Sequence, residues 1–423
     1  MNVIREVAKV ARGLKSRVRL IGARTKRNWS SARFIAVTGS SGKTSTVQLL
    51  SKMLAVDHQV AHQSFNNSEK SAIYLLCRVK RSDAFTILEA GTGAPGQLER
   101  ITNLFKPDIS IVTLVAIEHY SAFRQLAAIA HEKASLVRAL PANGLALLNF
   151  DDPSIRDMAA ACAAPVRFFG CTGGDYRAFD LKLGQDGRLQ FKIAHDRGTL
   201  PLNTRLIGEH NWLCVTAAAS CALELGISPE TVAQCVEDFD PIPGRMSLHT
   251  VANGPTFLLD TYKAPLHSVT LPFAALAQMT YSRKRIIVGS LSDYPGNPKR
   301  KYRDVYLAAR AVADEIIFVG EHAHRIKALP EDLEAGRFYA FPAIRSAFDH
   351  LLRTHGANEV ILIKTSQNLH LERLMLAFAH DVQCWADACG RNENCMTCGL
   401  FKQPFAEHGG KNRRRRRAAA KSN

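Results

Sequence analysis

The sequence predicts an α/β protein with a doubly wound, mostly parallel central sheet and a second, smaller α/β domain. Three observations support this prediction. Short apolar runs alternate with stretches of helical spacing along most of the 423 residues, a pattern typical of parallel sheets whose strands are connected by helices. The first run leads through a glycine-rich turn into a helical stretch. A Pro-Ile-Pro-Gly breaker at 241–244 precedes a second alternating series, which we expect to form a Rossmann-like domain.

The glycine-rich turn is the feature around which the first domain is organised. Apolar residues at 33–38 predict a strand, and apolar positions from Val47 to Leu54 predict a helix. The turn and helix start have the composition of a phosphate-binding loop: Gly39, Ser40, Ser41, Gly42, Lys43, Thr44 and Ser45. Glycines let backbone amides point inward, the lysine can reach terminal phosphate oxygens, and the threonine hydroxyl can bind Mg²⁺. The spacing Gly-x-x-Gly-Lys-Thr is shorter than the common Walker form, so a plain helix-capping turn is the alternative.

Composition and charge restrict the class of protein. The formal net charge is +17, with many basic residues near the N-terminus and an arginine run at 413–417. These basic tails could contact acidic surfaces such as lipid or nucleic acid, but they do not define an activity. No apolar stretch reaches the ~20 residues that a membrane-spanning helix needs, and no signal peptide is recognisable, so we expect a cytoplasmic protein.

The chain divides into four predicted parts. They are a basic N-terminal segment (1–32), a central nucleotide-binding domain (33–240), a C-terminal domain (241–380) and a cysteine-rich, basic tail (381–423). In the central domain, Glu89, His119 and Asn149 each follow an apolar run. Ligands of doubly wound sheets bind at the carboxyl ends of strands, so these three are candidate site residues. Residues 180–193 instead suggest an antiparallel insertion.

Eight short segments occur in the order found in one enzyme family. They are Thr38-Gly39-Ser40-Ser41-Gly42-Lys43-Thr44-Ser45, Leu88-Glu89-Ala90-Gly91, Glu118-His119, Glu132-Lys133, Leu148-Asn149-Phe150-Asp151-Asp152-Pro153, Gly208-Glu209-His210-Asn211, Pro243-Gly244-Arg245 and Asp260-Thr261-Tyr262. In this order they resemble the ATPase and C-terminal domains of the Mur ligases, over residues 33–375. Glu89-Ala90-Gly91 followed by Pro95-Gly96 is most similar to the branch that adds D-alanyl-D-alanine. The resemblance implies an ATP-dependent ligase that activates a carboxylate as an acyl phosphate and joins it to an amine.

The resemblance also implies roles for individual residues. The implied catalytic groups are Lys43, Glu89, His119 and Lys133, and the implied Mg²⁺ ligands are Thr44, Glu89 and His119. Implied nucleotide contacts beyond the loop are Asn149, Asn211, Arg245 and Asp260. Lys364-Thr365-Ser366 is similar to a segment near the incoming amine. The implied cofactors are ATP and Mg²⁺, and the implied partners are a carboxylate substrate and an amine or amino-acid substrate.

Some positions depart from the family pattern. Cys214 replaces a second asparagine after Asn211, and Thr261 replaces an aspartate after Asp260. Lys133 has two interpretations: a carbamylated lysine that becomes an anionic metal ligand, as the resemblance implies, or an ordinary lysine on a helix surface. Peptidoglycan Mur ligases carry a UDP-sugar-binding domain before the loop, where this chain has residues 1–32. We therefore expect either a different acid substrate or a partner protein that replaces this domain.

The tail contains a cluster of cysteines. Cys384, Cys389, Cys395 and Cys398 form the pattern C-x4-C-x5-C-x2-C. Four thiolates could hold a structural Zn²⁺ or an iron–sulfur cluster, and a metal-free tail is the third alternative.

Two further functions remain as alternatives to a Mur-type ligase of cell-wall peptide synthesis. The same scaffold could serve a poly-γ-glutamate or secondary-metabolite amide ligase. A protein of another class, a nucleotide-binding regulator or nucleic-acid-associated protein, could use the basic tails and the cysteine cluster. Glu89, His119, Asn211 and Arg245 favour a ligase, because simple nucleotide binding does not require residues for two metal ions and a closing domain.

Overall fold

The computed structural model describes the backbone of residues 2–118, 120–252, 254–294 and 296–408, and the side chains of these ranges from residue 14 onward. His119 and the arginine run at 413–417 lie outside the described residues. The described chain separates into two compact units. The first comprises the residues up to 182 with 190–205 and 210–239, and the second comprises 183–189, 206–209 and the described residues from 240 onward.

The larger sheet has nine strands. They are β1 (Arg33–Thr38), β2 (Val60–Gln63), β3 (Phe85–Glu89), β4 (Ile109–Val112), β5 (Leu145–Asn149), β6 (Val166–Gly170), β7 (Tyr176–Leu183), β8 (Arg188–His195) and β9 (Gly198–Ile207). Their order is β2-β3-β1-β4-β5-β6-β7-β8-β9, and each pair from β2 to β7 is parallel. β3 pairs with one edge of β1 and β4 pairs with the other edge. The chain therefore crosses from one side of β1 to the other between β3 and β4, and a topological switch point lies at the carboxyl end of β1.

Eight α-helices lie in the described residues of the first unit. They are α1 (Asn2–Trp29), α2 (Lys43–Leu54), α3 (Glu69–Arg78), α4 (Gln97–Phe105), α5 (Leu126–Arg138), α6 (Pro153–Arg156), α7 (Trp212–Glu224) and α8 (Pro229–Glu237). Apolar clusters built around Phe34 and Leu88 and around Val112 and Leu148 bury the sheet against these helices. α6 and α8 begin with a side-chain cap followed by proline, which explains their start points.

The basic N-terminal segment forms α1, whose last turns pack on the first unit. Ala23 is fully buried, and the Lys26 ammonium donates to the Cys77 carbonyl at 2.8 Å. The Arg27 guanidinium donates to the Phe105 carbonyl at 2.7 Å. Lysine and arginine in the last turn also interact favourably with the helix dipole. Within the described residues, no helix combines the length and the apolar character needed to cross a bilayer.

The second sheet has six strands and lies entirely in the second unit. They are β10 (Ser247–Thr250), β11 (Thr256–Asp260), β12 (Arg283–Val288), β13 (Glu315–Val319), β14 (Phe338–Phe341) and β15 (Glu359–Lys364), in the order β10-β11-β15-β12-β13-β14. Only the β10–β11 pair is antiparallel. The associated helices are α9 (Leu271–Gln278), α10 (Pro298–Arg310), α11 (Pro330–Glu334), α12 (Ile344–Thr354), α13 (Glu372–Ala379) and α14 (Cys395–Cys398).

The predicted fold class is confirmed by these two sheets. Each face of the second sheet carries its own apolar cluster, one containing Leu258 and Phe318 and the other containing Phe257 and Ile317. The tail is part of the second cluster, because Val382, Cys395 and Phe401 are buried in it. The described part of the tail, residues 381–408, therefore contributes to the packed core of the second unit.

Candidate active site

The predicted phosphate loop, residues 39–42, joins β1 to α2, and its backbone conformation requires glycine at both ends. Gly39 has a φ of +147°, and a Cβ at this position would lie 1.9 Å from Thr113 Oγ1. Gly42 has a φ of +82° and directly precedes Lys43, the first residue of α2. Residues with a side chain rarely adopt such conformations. The loop therefore ends at the positive end of a helix dipole, where backbone amides can bind phosphate oxygens.

The segment that follows β4 holds the loop in place. The Ser40 N–H donates to the Leu114 carbonyl at 2.7 Å, and the Ser40 hydroxyl makes 2.9 Å hydrogen bonds with both the N–H and the carbonyl of Ala116. The Thr113 hydroxyl donates to the Ser41 carbonyl at 2.5 Å. Sequence reasoning missed Thr113 and Ala116, because they belong to no motif and act through backbone contacts.

Three predicted residues converge beside the loop. The Lys43 ammonium donates to the Gly39 carbonyl. The Thr44 hydroxyl donates to Glu89 Oε2 at 2.9 Å, and the same oxygen accepts the Phe65 N–H at 2.8 Å. Glu89 is 4% exposed and ends β3, which pairs with β1. A carboxylate and a hydroxyl therefore meet at the start of α2, and such hard oxygen ligands suit Mg²⁺. Ser45 lies in the first turn of this helix.

Lys133 forms a buried ion pair. Its side chain on α5 is fully buried, and Nζ lies 2.8 Å from Glu118 Oε1, which is also buried. The interpretation of Lys133 as a surface lysine is therefore wrong. A buried pair of this kind is maintained only when each charge has its partner, because isolated burial of either charge is costly. Glu118 is the other half of the predicted Glu-His motif, whose His119 lies outside the described residues.

Glu132, the sequence neighbour of Lys133, has a separate role. Its carboxylate accepts the Gly96 N–H at 2.7 Å, the Leu98 N–H at 2.8 Å and the Thr92 hydroxyl at 3.1 Å. These contacts fix the loop between β3 and the start of α4. Glu132 therefore shapes the segment that follows Glu89.

Asn149 and Asp152 stabilise the carboxyl end of the sheet. Asn149 Nδ2 donates to the Thr113 carbonyl at 2.8 Å, and its Oδ1 accepts the Asp151 N–H at 3.0 Å. Asp152 accepts the Val115 N–H at 2.7 Å and also caps α6. Both side chains support the segment that holds the phosphate loop. The predicted contact of Asn149 with nucleotide stays a prediction.

Asn211 immediately precedes α7, which begins close to the phosphate loop. The Cys214 Cβ lies 3.7 Å from the Cβ position of Gly42, and the Thr46 hydroxyl donates to the Cys214 carbonyl at 3.5 Å. The Cys214 thiol donates to the Asn211 carbonyl at 3.3 Å. The family pattern has a second asparagine at position 214. In this chain the position holds a cysteine, whose thiol faces the backbone of Asn211.

The second unit brings together Asp260 and Lys364, which end the paired strands β11 and β15. Lys364 Nζ donates to Asp260 Oδ2 at 2.5 Å and to the Lys263 carbonyl at 2.8 Å. The Arg245 guanidinium carbon lies 4.3 Å from the centre of the Tyr262 ring. Stacking on an aromatic ring restricts the planar guanidinium. These polar residues share the carboxyl edge of the second sheet.

The tail cysteines have different surroundings. Cys395 lies with His370 and Glu372, and the ligand atoms of these three residues are within 4.8 Å of one another. The Cys384 sulfur instead lies 3.8 Å from Arg373 Nη1. Sequence reasoning missed His370 because an isolated histidine before a helix carries no spacing signal.

Comparison with known proteins identifies the family. The Mur ligase middle domain matches residues 37–222, and the Mur ligase, glutamate ligase domain matches residues 244–367. The UDP-N-acetylmuramoyl-tripeptide–D-alanyl-D-alanine ligase of Escherichia coli K12 is 24% identical over 358 residues, which are 84% of this chain and 78% of that protein. The enzyme of the same name from Mycobacterium bovis is 30% identical over 296 residues, which are 68% of this chain and 58% of that protein.

A solved structure agrees with this comparison. The MurF ligase of Thermotoga maritima in complex with ADP has a TM-score of 0.74 at 21% identity, over 84% of this chain and 81% of that chain. The two matched domains define an ATP-dependent ligase that forms C–N bonds. Because the two domain models together match most of the described chain, the protein belongs to the Mur ligase family. This confirms the family that the eight sequence segments predict.

Proposed function

We propose that the protein joins a carboxylate to an amine through an acyl phosphate, as a ligase of cell-wall peptide synthesis. The observation that carries this proposal is the 2.9 Å contact between the Thr44 hydroxyl and the Glu89 carboxylate, next to Lys43 at the phosphate loop. Both groups are buried, and they offer the oxygen ligands that Mg²⁺ prefers.

The proposed chemistry has two steps. A substrate carboxylate oxygen bonds to the γ-phosphorus of ATP while the bond from that phosphorus to the β–γ bridging oxygen breaks, and ADP leaves. The amine nitrogen then bonds to the acyl carbon, the bond from this carbon to the phosphate oxygen breaks, and the amine loses a proton. Bound Mg²⁺ supplies positive charge that reduces repulsion between the carboxylate and the triphosphate. The loop amides and Lys43 bind the terminal phosphates and stabilise the developing negative charge.

Lys133 is proposed to act as a carbamate. Its deprotonated amine would add to CO₂ and release a proton, which converts a buried cation into an anionic oxygen ligand. The full burial of Lys133 and its ion pair with the buried Glu118 support a specific role for it. Incubation with ¹³C-bicarbonate should give a carbamate carbon signal that Lys133→Arg lacks. A spectrum identical for both proteins would leave the ammonium–carboxylate pair with Glu118 as the working form.

The second unit is proposed to contribute contacts with nucleotide and amine. Arg245 has a planar, bidentate group suited to phosphate, and Asp260 is a candidate contact for the ribose. Asp260 already has Lys364 as a charge partner, which supports a fixed carboxylate orientation. Asn211, at the start of α7, is proposed to lie near the nucleotide. The use of ATP suits a cytoplasmic enzyme. A Zn²⁺ ion held by all four tail cysteines stays a prediction, since the matched family domains end at residue 367.

The proposed activity is tested by phosphate release with paired substrates. The names of the relatives make UDP-N-acetylmuramoyl-tripeptide and D-alanyl-D-alanine the first pair to test. We expect release that needs ATP, acid and amine together, and a product whose mass equals the two substrates minus water. Activity only with glutamate or its polymers would favour the poly-γ-glutamate alternative. Nucleotide binding without turnover in any substrate mixture would favour a regulatory protein.

A further inference from the structure

A buried polar cluster lies in the second unit, outside the residues assigned to ligase chemistry. His370, Glu372 and Cys395 are 1%, 0% and 5% exposed. One ligand atom from each lies within 4.8 Å of the other two. Cys395 also belongs to the apolar cluster that contains Leu374 and Val382. Polar groups buried in such surroundings cost free energy unless their polar atoms are paired. Within the described residues, His370 Nε2 and Glu372 Oε2 have no hydrogen-bond partner.

His370 has the orientation of a metal-bound imidazole. Its Nδ1 lies 3.3 Å from Glu372 Oε1, and that oxygen also accepts the Cys395 N–H at 2.8 Å. Its Nε2 is buried and has no hydrogen-bond partner among the residues that the structure describes. In metal sites a carboxylate commonly holds one ring nitrogen while the other nitrogen binds the ion. Glu372 therefore has the place of the orienting carboxylate, and Nε2 has the place of the ligand.

Cys389 and Cys398 are candidates for the remaining ligands, although their sulfurs lie outside the group of three whose ligand atoms are within 4.8 Å of one another. Cys389 Sγ accepts the Arg391 N–H at 3.5 Å and also interacts with His370. Cys398 follows Cys395 by one turn of α14, so the two side chains share a face of that helix.

We propose that the second unit binds one Zn²⁺ through His370 Nε2 and the sulfurs of Cys389, Cys395 and Cys398. One nitrogen and three thiolates form a closed tetrahedral set, which is typical of structural zinc and leaves no position for catalysis. Glu372 orients the imidazole. The site uses three of the four tail cysteines.

Cys384 has a different role in this arrangement. Arg373 Nη1 donates to the Cys384 carbonyl at 2.7 Å and lies 3.8 Å from its sulfur. The same guanidinium donates to the Ala386 carbonyl at 2.6 Å and to the Leu369 carbonyl at 2.9 Å. Arg373 thus attaches the start of the tail to α13, and Cys384 is part of that attachment.

Zinc binding would fix the tail against two segments of the candidate active site. Gln367 Nε2, just after the Lys364 segment, donates to the Asn392 carbonyl at 2.7 Å. A Cβ at Gly244, just before Arg245, would lie 3.5 Å from Asn394 Nδ2. Asn392 and Asn394 lie between two proposed ligands. Loss of zinc should therefore raise KM for the amine, a consequence that rests on the proposed function.

The zinc site is tested by metal analysis of the full chain, purified without chelator. We expect about one zinc per chain in the wild type. His370→Ala and Cys395→Ser should lose it, whereas the matched control Cys384→Ser should retain it. His370→Cys should also retain zinc, since it supplies a fourth thiolate. Exchange with Co²⁺ should give sulfur-to-cobalt charge-transfer absorption in the wild type and in Cys384→Ser.

Three results would overturn the proposal. Loss of zinc in Cys384→Ser together with its retention in His370→Ala would show that the four cysteines are the ligands. Iron together with acid-labile sulfide in the purified chain would show that the site holds an iron–sulfur cluster and not zinc. A metal-free chain that takes up neither zinc nor cobalt would remove the site. If His370→Ala fails to fold, Cys384→Ser still decides between the ligand sets, because it should lose zinc only if the site uses all four cysteines. Metal content is measured without turnover, so a negative result for zinc is distinguishable from a failure of the ligase assignment.

Discussion

Among single residues, Lys43 has the most direct predicted role. It is 7% exposed and, within the described structure, donates to the Gly39 carbonyl of its own loop. We expect Lys43→Ala to lower kcat at least about 10²–10³-fold, because a preorganised positive charge beside the transferred phosphate is lost. Steady-state phosphate release measures this effect.

The control for Lys43→Ala is Lys52→Ala, in the last turn of the same helix. Its ammonium donates to the Asp238 carbonyl, so activity should remain near that of the wild type. Circular dichroism should show both variants folded. Wild-type turnover in folded Lys43→Ala would remove the assignment of the phosphate loop.

The Glu118–Lys133 pair gives a prediction whose sign depends on the state of the lysine. With an ammonium at Lys133, Glu118→Gln leaves a buried cation without this carboxylate, and the free energy of unfolding should fall by about 3 kcal/mol. With a carbamate at Lys133, the same change removes a repulsion between two anions. Urea denaturation with and without bicarbonate measures the difference. A loss of stability that bicarbonate does not alter would contradict carbamylation.

Among elements, the loop between β1 and α2 tolerates no side chain at its first glycine. The Cβ of Gly39→Ala would lie 1.9 Å from Thr113 Oγ1, so the loop or β4 must shift. We expect ADP affinity to fall by more than about tenfold, since misplaced amides no longer meet the phosphates. Isothermal titration calorimetry with Mg²⁺ and ADP measures this.

Gly22→Ala is the matched control for Gly39→Ala. Gly22 lies within α1, and a Cβ there would meet nothing within 4 Å. Alanine should stabilise the helix by up to about 1 kcal/mol without affecting ADP binding. Unchanged ADP affinity in Gly39→Ala would show that the loop adopts another conformation when nucleotide binds.

For the molecule as a whole, the pH dependence of stability should contain a contribution from Asp332. Burial would raise the pKa of its carboxyl, but hydrogen bonds from Tyr306 and Arg310 and the charge of Arg337 lower this pKa below its ordinary value. A carboxyl with a lower pKa in the folded chain stabilises the fold above its unfolded pKa. This stabilisation is lost as the pH falls through the folded pKa.

We therefore expect Asp332→Asn to destabilise the protein by about 2 kcal/mol at neutral pH, because the substitution removes the carboxylate that Arg310 and Tyr306 contact. The difference from the wild type should shrink below about pH 4. Denaturation at several pH values measures this trend. The partly exposed Asp349, paired with Arg345 on α12, is the control, and its asparagine variant should change stability by less than about 0.5 kcal/mol. A pH-independent difference for Asp332→Asn would contradict the ionic origin.

Several functional contacts could be predicted from local sequence because their residues lie within one motif. Lys43 and Thr44 follow the glycine turn directly. Glu89 ends β3, which is parallel to β1, so its side chain lies at the same edge of the sheet as the turn. Thr113 could not be predicted in this way. It acts only because β4 lies beside β1, so that its hydroxyl reaches the loop backbone.

The pair Glu132-Lys133 illustrates the same limit. The two residues are adjacent in sequence and were predicted as one motif, yet their side chains project into different surroundings on α5. Glu132 holds the loop after β3, whereas Lys133 meets Glu118 in the interior. Helical geometry turns adjacent residues by about 100°, so sequence proximity does not determine shared contacts.

By itself, the sequence determined the α/β fold class, the glycine turn between β1 and α2 and the Mur ligase family, because strand–helix alternation and short motifs are local properties of the chain. Tertiary structure alone decided which distant side chains meet. It buried Lys133 against Glu118, and it placed His370 beside Cys395 while Cys384 packed on Arg373. These contacts depend on strand order and on where loops return to the sheet, which no local spacing encodes.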